Sequence, residues 1–252
     1  MDIKVADVAF ALCKPIFAER NKKQVQVGSC SFLEMGGESF LITARHVLET
    51  KGDKALYVGT RKGGLSLHRG YYKSALTDVK GDKFDIAIYP LGAADLEQLA
   101  GDALFIDREM IVETTLPTMP ALVLGYPSSK NKGPFARDEP VRVEVHGIHT
   151  EVVETSPEYR QAHGATAEAN FFLNYSRPKG EPQLFSPVGM SGGLVVGAQP
   201  SQKPKVLGMP IEKSKDGKRI LCTHYRFIYN SVERILLRAT RPDKQPVIQP
   251  EG

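Results

Sequence analysis

Several features that would assign this chain of 252 residues to a class are scarce. Its two longest uncharged stretches, residues 114–129 and 185–202, are broken by prolines and glycines. Neither suits a membrane-crossing helix, so no membrane partner is predicted. There are three cysteines, an odd number in a chain too long for a small disulfide scaffold. We therefore expect free thiols and a reducing compartment, the cytoplasm.

Charge of one sign is also scarce. The chain has 33 basic and 29 acidic residues, and its short basic clusters, residues 20–23 and 213–219, are typical of solvated loops. No nucleic-acid partner is predicted. The first seven residues carry two acids, and the apolar run at residues 8–13 is too short for a signal-peptide core.

What is present is enough apolar sequence for a core, with 41% hydrophobic residues. Short strand candidates recur at residues 25–33, 39–43, 56–58, 65–67, 71–75, 84–89, 110–116, 121–125, 141–153 and 171–175. Such spacing predicts a sandwich or barrel. Pro15 indicates an edge strand or irregular entry within residues 10–20. Residues 93–100 have helical composition and are predicted to lie in the connection between two lobes. Residues 156–168 are predicted to form a polar loop.

The most informative stretch is the glycine-rich turn around Ser191, from Val188 to Gly193, followed by an apolar strand. Glycines let the backbone adopt angles barred to other residues and approach a ligand closely. In such a turn the N–H groups of Gly189 and Ser191 can point at one spot and stabilise an oxyanion.

Two upstream residues supply what a serine nucleophile needs. His46 follows an apolar strand, and Asp85 opens the apolar run Ile86-Ala87-Ile88. An imidazole can take the serine proton when a buried carboxylate fixes its tautomer. Asp78 and Asp82 are alternative carboxylates, but they lie among lysines and glycine, as loop residues do.

Three segments resemble the chymotrypsin-like (trypsin-fold) serine proteases: Thr43-Ala44-Arg45-His46, Asp85-Ile86-Ala87 and Gly189-Met190-Ser191-Gly192-Gly193. The order His, Asp, Ser is also that of chymotrypsin. The forms of these motifs are similar to those of bacterial cytoplasmic trypsin-like domains. Val123-Leu124-Gly125-Tyr126-Pro127 and Val206-Leu207-Gly208-Met209 are further matches, so the resemblance spans roughly residues 25–228.

The resemblance implies an all-β fold of two six-stranded antiparallel β-barrels with a C-terminal helix. We expect a single peptidase domain over residues 1–252. Its first lobe covers about residues 8–110, its second lobe about 111–228 and its helix about 229–239. A disordered tail is expected at residues 240–252, which contain three prolines.

The implied function is a serine endopeptidase acting on proteins or peptides, with His46, Asp85 and Ser191 as catalytic triad and the N–H groups of Gly189 and Ser191 as oxyanion hole. No metal or cofactor is expected. Phe185, Gly208 and Ile211 are the implied substrate-binding residues. Phe185 at the pocket floor indicates an apolar or small residue before the cut, whereas Glu212 at the rim would favour a basic one.

Two further expectations stay open. Met190 stands where secreted relatives carry an aspartate that pairs with a freed N-terminal amine, and methionine cannot accept an ammonium. The oxyanion turn is thus expected to form without cleavage, or with the help of an activating partner or of the segment before Val25. The alternative function is a catalytically silent trypsin-fold module that binds peptides.

Overall fold

The computed structural model describes residues 3–20, 23–49, 55–74, 84–131, 143–176, 186–197 and 204–239. The strands are β1 Cys13–Arg20, β2 Lys23–Met35, β3 Glu38–Ala44, β4 Leu56–Thr60, β5 Gly63–Leu67, β6 Tyr72–Lys73, β7 Ile86–Pro90, β8 Phe105–Ile106, β9 Pro120–Gly125, β10 His146–Val153, β11 Asn170–Asn174, β12 Leu194–Gly197, β13 Lys205–Lys213 and β14 Arg219–His224. The helices are α1 Ile3–Leu12, α2 Arg45–Leu48, α3 Ala93–Leu99, α4 Pro157–Ala162 and α5 Tyr225–Ala239, with a 3₁₀ turn at Arg108–Met110. The protein is therefore mostly β.

The first half of the chain forms an antiparallel sheet in the order β5-β4-β1-β2-β3-β7-β6, with β8 parallel to β2 beside this path. Its central hairpin joins β2 to β3 through Gly36 and Gly37. Within the described ranges the path does not close on itself. The first of the two expected barrels therefore stays a prediction, whereas the antiparallel sheet itself is confirmed.

The second half forms a closed antiparallel barrel in the order β10-β11-β14-β13-β12-β9. Alternating side chains of a strand point to opposite faces, so each strand can send every second residue inward. Val123, Phe171, Leu173, Val195 and Leu207 belong to one buried cluster contributed by four of these strands. The expected six-stranded barrel in the second lobe is confirmed.

Helix α5 packs its apolar face against the core of the molecule. Tyr225, Ile228 and Val232 are buried at three- and four-residue spacing, as one helix face requires. They share a buried cluster with residues of the first sheet and with Met209 of β13. The predicted helix is confirmed, but it begins at Tyr225 rather than 229, because Tyr225 and Ile228 extend the same apolar stripe. The predicted tail lies outside the described residues.

Several sequence predictions about the elements are wrong. Strand β1 is not at an edge: it pairs with β2 and, from Ile16 onward, with β4, so Pro15 lies just before that second pairing begins. Helix α1 precedes it and was not expected. Residues 156–168 contain α4, whose first turn is capped by the Ser156 side chain. In the predicted strand 110–116 a single bridge joins Ile111 to Val206.

Helix α3 is confirmed as helical, but it does not connect the two halves of the chain. Strand β8 follows it and returns to β2 of the first sheet.

Cys13, Cys30 and Cys222 are buried free thiols, and burial raises the pKa of Cys30 and Cys222 well above the ordinary 9.0. Among the described helices, none is long and apolar enough to cross a membrane.

Candidate active site

His46 lies in the short helix α2, directly after strand β3. The last five residues of β3 are buried, and so are Arg45, Val47 and Leu48 of α2. The side chain of His46, in contrast, is 51% exposed. The strand end therefore holds the backbone of His46 firmly and leaves its imidazole accessible.

Asp85 immediately precedes β7, the neighbour of β3 in the sheet. The register pairs Ala44 with Ile86, which brings Asp85 level with the start of α2. Its carbonyl oxygen accepts the Arg45 N–H at 2.9 Å, and its Oδ1 accepts the His46 N–H at 3.0 Å. Its backbone has a φ of +44°, which is uncommon for a residue with a side chain. Asp78 and Asp82, the alternative carboxylates, lie outside the described residues.

The His46 ring bonds to Asp85, with Nδ1 at 2.5 Å from Oδ2. An ionised carboxylate only accepts hydrogen bonds, so Nδ1 carries the proton and Nε2 keeps its lone pair. Burial lowers the pKa of His46, but the hydrogen bond and charge of Asp85, followed by the charges of Glu212 and Glu49, outweigh it. The pKa of His46 is raised above its ordinary 6.5. This arrangement is that of an oriented general base.

The Ser191 turn packs against the strand end that carries His46. The Ser29 N–H donates to the Ser191 carbonyl oxygen at 2.9 Å. Gly192 has a φ of +84°, and a Cβ there would collide with the Ser29 carbonyl oxygen and the Thr43 hydroxyl. Thr43 is three residues before His46. Only glycine permits both this backbone angle and this approach, which bring the turn onto the middle of β2 and the end of β3.

The Ser191 hydroxyl is engaged by the backbone of β13. Ser191 Oγ donates to the Ile211 carbonyl oxygen at 2.7 Å. A hydroxyl has one hydrogen to donate. In this state the Ser191 hydroxyl therefore does not donate to the His46 ring, and among the described residues no hydrogen bond joins the two side chains. Rotation about the Cα–Cβ bond is needed before the hydroxyl can donate to the imidazole.

The backbone of the turn leaves two N–H groups available. The N–H groups of Met190, Gly192 and Gly193 donate to carbonyl oxygens at 2.9–3.0 Å. Those of Gly189 and Ser191 have no backbone acceptor within the described part of the chain. These are the two groups that the sequence assigns to an oxyanion hole.

The predicted substrate-binding residues occupy different surroundings. Ile211 is buried, and its side chain belongs to a cluster with Phe172 and Leu221, while its carbonyl oxygen faces Ser191. Gly208 is buried, and a Cβ there would collide with the Thr223 carbonyl oxygen and with the ring of Phe171. Phe185 lies outside the described residues. Glu212 is exposed, and its charge acts on His46.

Sequence reasoning missed three polar residues that contact the Ser191 turn. Gln26 and Ser29 donate to the Gly189 carbonyl oxygen, and Ser128 donates to the Val188 carbonyl oxygen. The first two are buried in β2. A single Gln or Ser in a strand has no distinctive sequence signature, so no local pattern points to them.

Within the described ranges no group of three or more His, Cys, Asp or Glu side chains is placed to hold a metal ion. The groups that the structure brings to this site are a histidine–aspartate pair, a serine hydroxyl and backbone N–H groups. The antiparallel sheet and the helix after it supply Asp85 and His46, and the turn before β12 of the closed barrel supplies Ser191.

Comparisons with known proteins add little to this picture. No family model matches the chain, and no curated protein matches it. A similar solved chain belongs to the study "Aromatic interactions drive the coupled folding and binding of the intrinsically disordered Sesbania mosaic virus VPg protein". The match covers 88% of this chain and 95% of that chain, with 15% identity and a TM-score of 0.49. This likeness is too weak to indicate a function.

Proposed function

We propose that this protein is a serine endopeptidase of the chymotrypsin-like class. The observation that carries the proposal is the Asp85–His46 pair, with 2.5 Å between Oδ2 and Nδ1. The glycine-rich turn of the barrel that contains Ser191 packs against the strand leading to His46. The closed six-stranded barrel and helix α5 support the same class. The proposal extends to a first lobe that also forms a barrel and, because all three cysteines are buried thiols, to a reducing compartment such as the cytoplasm.

In the proposed reaction the Ser191 hydroxyl leaves the Ile211 carbonyl and donates to His46 Nε2. The oxygen attacks the peptide carbonyl carbon while His46 takes the proton, and Asp85 stabilises the imidazolium. The new oxyanion is bound by the N–H groups of Gly189 and Ser191. His46 returns the proton to the leaving amine, and a water molecule, activated by the same imidazole, hydrolyses the acyl-enzyme and regenerates the Ser191 hydroxyl.

A fluorophosphonate tests the proposal, because it reacts covalently with an activated serine. The full chain beginning at Met1 is expected to be labelled at Ser191 without prior processing, and the label is located by mass spectrometry of peptides. Ser191→Ala is expected to abolish labelling. Ser231→Ala is the matched control, since the Ser231 hydroxyl donates within helix α5, to the Phe227 carbonyl oxygen at 2.8 Å. Absence of labelling in the folded protein contradicts the proposal, and labelling only with a partner added would indicate gated activation.

One observation favours a second candidate, a silent peptide-binding module. The Ser191 hydroxyl donates to Ile211 rather than to His46, and a binding module has no need to release it. A peptide library separates the two functions: the endopeptidase cleaves peptides and loses turnover in Ser191→Ala, whereas the module binds them intact with the same affinity in both forms.

A further inference from the structure

The carbonyl oxygen of Gly189 accepts two hydrogen bonds from the opposite half of the molecule. Ser29 Oγ donates to it at 2.9 Å and Gln26 Nε2 donates to it at 3.0 Å. Both donors lie on β2 of the first sheet, and both are buried, with 0% and 4% exposed surface. Two buried side chains from the other sheet therefore converge on one backbone atom of the Ser191 turn.

These two donors are themselves fixed in orientation. Ser29 Oγ accepts the Tyr126 N–H at 3.0 Å, so its single hydrogen is free to serve Gly189. The second hydrogen of Gln26 Nε2 goes to the Gly28 carbonyl oxygen at 2.8 Å. A rotated amide would place Oε1 against two carbonyl oxygens and is excluded by their repulsion. Gln26 keeps the NH₂ group on Gly189 although its buried Oε1 has no partner, which is costly.

The preceding carbonyl is held as well. The Val188 carbonyl oxygen accepts the N–H of Ser128 at 2.9 Å and its hydroxyl at 3.2 Å. In a planar trans peptide the N–H points opposite to the C=O, so Ser128 directs the Gly189 N–H away from itself. The Gly189–Met190 peptide is fixed at both ends, because Met190 N–H donates to the Pro187 carbonyl oxygen at 2.9 Å.

The backbone angle of Gly189 shows why the turn needs such support. Its φ is +92°, and a Cβ would lie 2.7 Å from both Gln26 Oε1 and the Tyr126 carbonyl oxygen. Glycine has the widest conformational freedom of all residues and loses it when the turn is ordered. Met190, which is buried, has no group that could hold the turn by an ion pair.

We propose that Gln26 and Ser29 are positioning residues for the oxyanion hole. By holding the Gly189 carbonyl oxygen they fix the Gly189–Met190 peptide and the backbone angle at Gly189, while Ser128 holds the preceding peptide, whose Gly189 N–H faces the substrate. The inference rests on the proposed peptidase function. It accounts for how the turn is ordered although Met190 offers no partner for an ammonium. Ordering the turn is then the role of neutral hydrogen-bond donors on β2.

The test uses two variants, Gln26→Met and Ser29→Ala, which remove the donors and nearly keep the shape. For each we expect kcat on a fluorogenic peptide to fall about 10- to 100-fold, below the 10²–10³ of a lost oxyanion donor. Inhibition by a peptidyl boronate of the same sequence is expected to weaken by a similar factor. The KM for the uncharged amide substrate is expected to change less than about 2-fold, because its carbonyl oxygen carries no full negative charge before the attack.

The same strand provides matched controls. Gln24→Met and Ser31→Ala change buried residues of β2, and Ser31 bonds to the Tyr225 hydroxyl rather than to the turn. These controls are expected to keep kcat even if they lower the melting temperature. Ser29→Cys restores a weak donor and is expected to recover part of the loss.

The outcomes separate this inference from the function on which it rests. A wild-type chain that neither cleaves peptides nor takes the fluorophosphonate label overturns the proposed function. An active wild type with unchanged kcat and boronate affinity in both folded variants overturns the positioning role alone. If one variant is not folded, as a lack of cooperative unfolding would show, the kcat and boronate affinity of the other variant decide the positioning role.

Discussion

The acid–base pair and the nucleophile differ in how far they are assembled. His46 and Asp85 lie on adjacent strands of one sheet, and their side chains already bond at 2.5 Å. Ser191 belongs to the barrel, and its hydroxyl donates to Ile211 of that same barrel. Register within the first sheet thus completes the acid–base pair, whereas a hydrogen bond from Ser191 to His46 depends on rotation of the Ser191 side chain.

The two halves also differ in what fixes them. The His46 half is built from a charged hydrogen bond and a buried strand end. The Ser191 half is built from glycines and neutral donors, with Gln26 and Ser29 reaching across from the first sheet. Removing a member of the acid–base pair should therefore impair the chemistry most, and adding a side chain at a glycine of the turn should impair the folded structure most.

The largest effect is expected when the base is removed. His46→Ala deletes the group that takes the Ser191 proton, and loss of one member of such a unit costs on the order of 10⁶ in kcat. This corresponds to about 8 kcal/mol of barrier. His149→Ala, an exposed histidine of the barrel, is expected to leave turnover unchanged. Steady-state kinetics on a library-selected peptide makes the comparison, and a His46→Ala variant within 10-fold of wild type would contradict the assigned role.

A smaller loss of kcat is expected when His46 is kept but the carboxylate that fixes its tautomer is removed. Asp85→Asn replaces the acceptor of the Nδ1 proton by an amide and is expected to lower kcat by about 10⁴, or about 5.5 kcal/mol. Asp107→Asn is the control, since Asp107 is an exposed cap that asparagine can replace. Equal activity of the two variants would show that Asp85 does not orient His46.

On the nucleophile side the expected effect is on stability. Gly192→Ala and Gly37→Ala both place a side chain at a positive φ, +84° and +81°, which costs about 1–2 kcal/mol. Gly37 has nothing within 4 Å of its Cβ position, whereas Gly192 faces Ser29 and Thr43. Overpacking adds about 1–3 kcal/mol at Gly192 only. Denaturant unfolding measures both variants, and equal free energies of unfolding would mean that the turn does not press against β2 and β3.

The parts that could be predicted from sequence are those with a local signature. The barrel strands alternate, Gly36-Gly37 marks a hairpin, and His46, Asp85 and Ser191 each lie at a strand end or glycine turn. The contacts of Gln26 and Ser29 with Gly189 span 163 and 160 residues. They depend on how the two sheets pack, which no short pattern encodes. Helix α1 lacks such a signature, because it has no acidic residue in its first turn and no basic residue in its last turn.

The smallest expected effect concerns the charges around His46 and shows in pH dependence. Activity requires the neutral imidazole, so kcat/KM should rise with pH through a pKa above 6.5. Stability should change in the opposite direction. Because the folded pKa of His46 is raised, the stabilisation from its protonated form is complete below the unfolded value near 6.5 and is lost as pH rises through the folded value.

Glu212→Gln tests the part of this shift that comes from the facing barrel. It removes one charge that raises the pKa of His46, while Asp85 and Glu49 remain. The midpoint of kcat/KM against pH is expected to move to lower pH by less than about one unit, since Glu212 is exposed and screened by solvent. Glu34→Gln, an exposed residue of β2, is expected to leave the midpoint in place. A midpoint that moves upward, or moves equally in both variants, would show that the charge of Glu212 does not raise the pKa of His46.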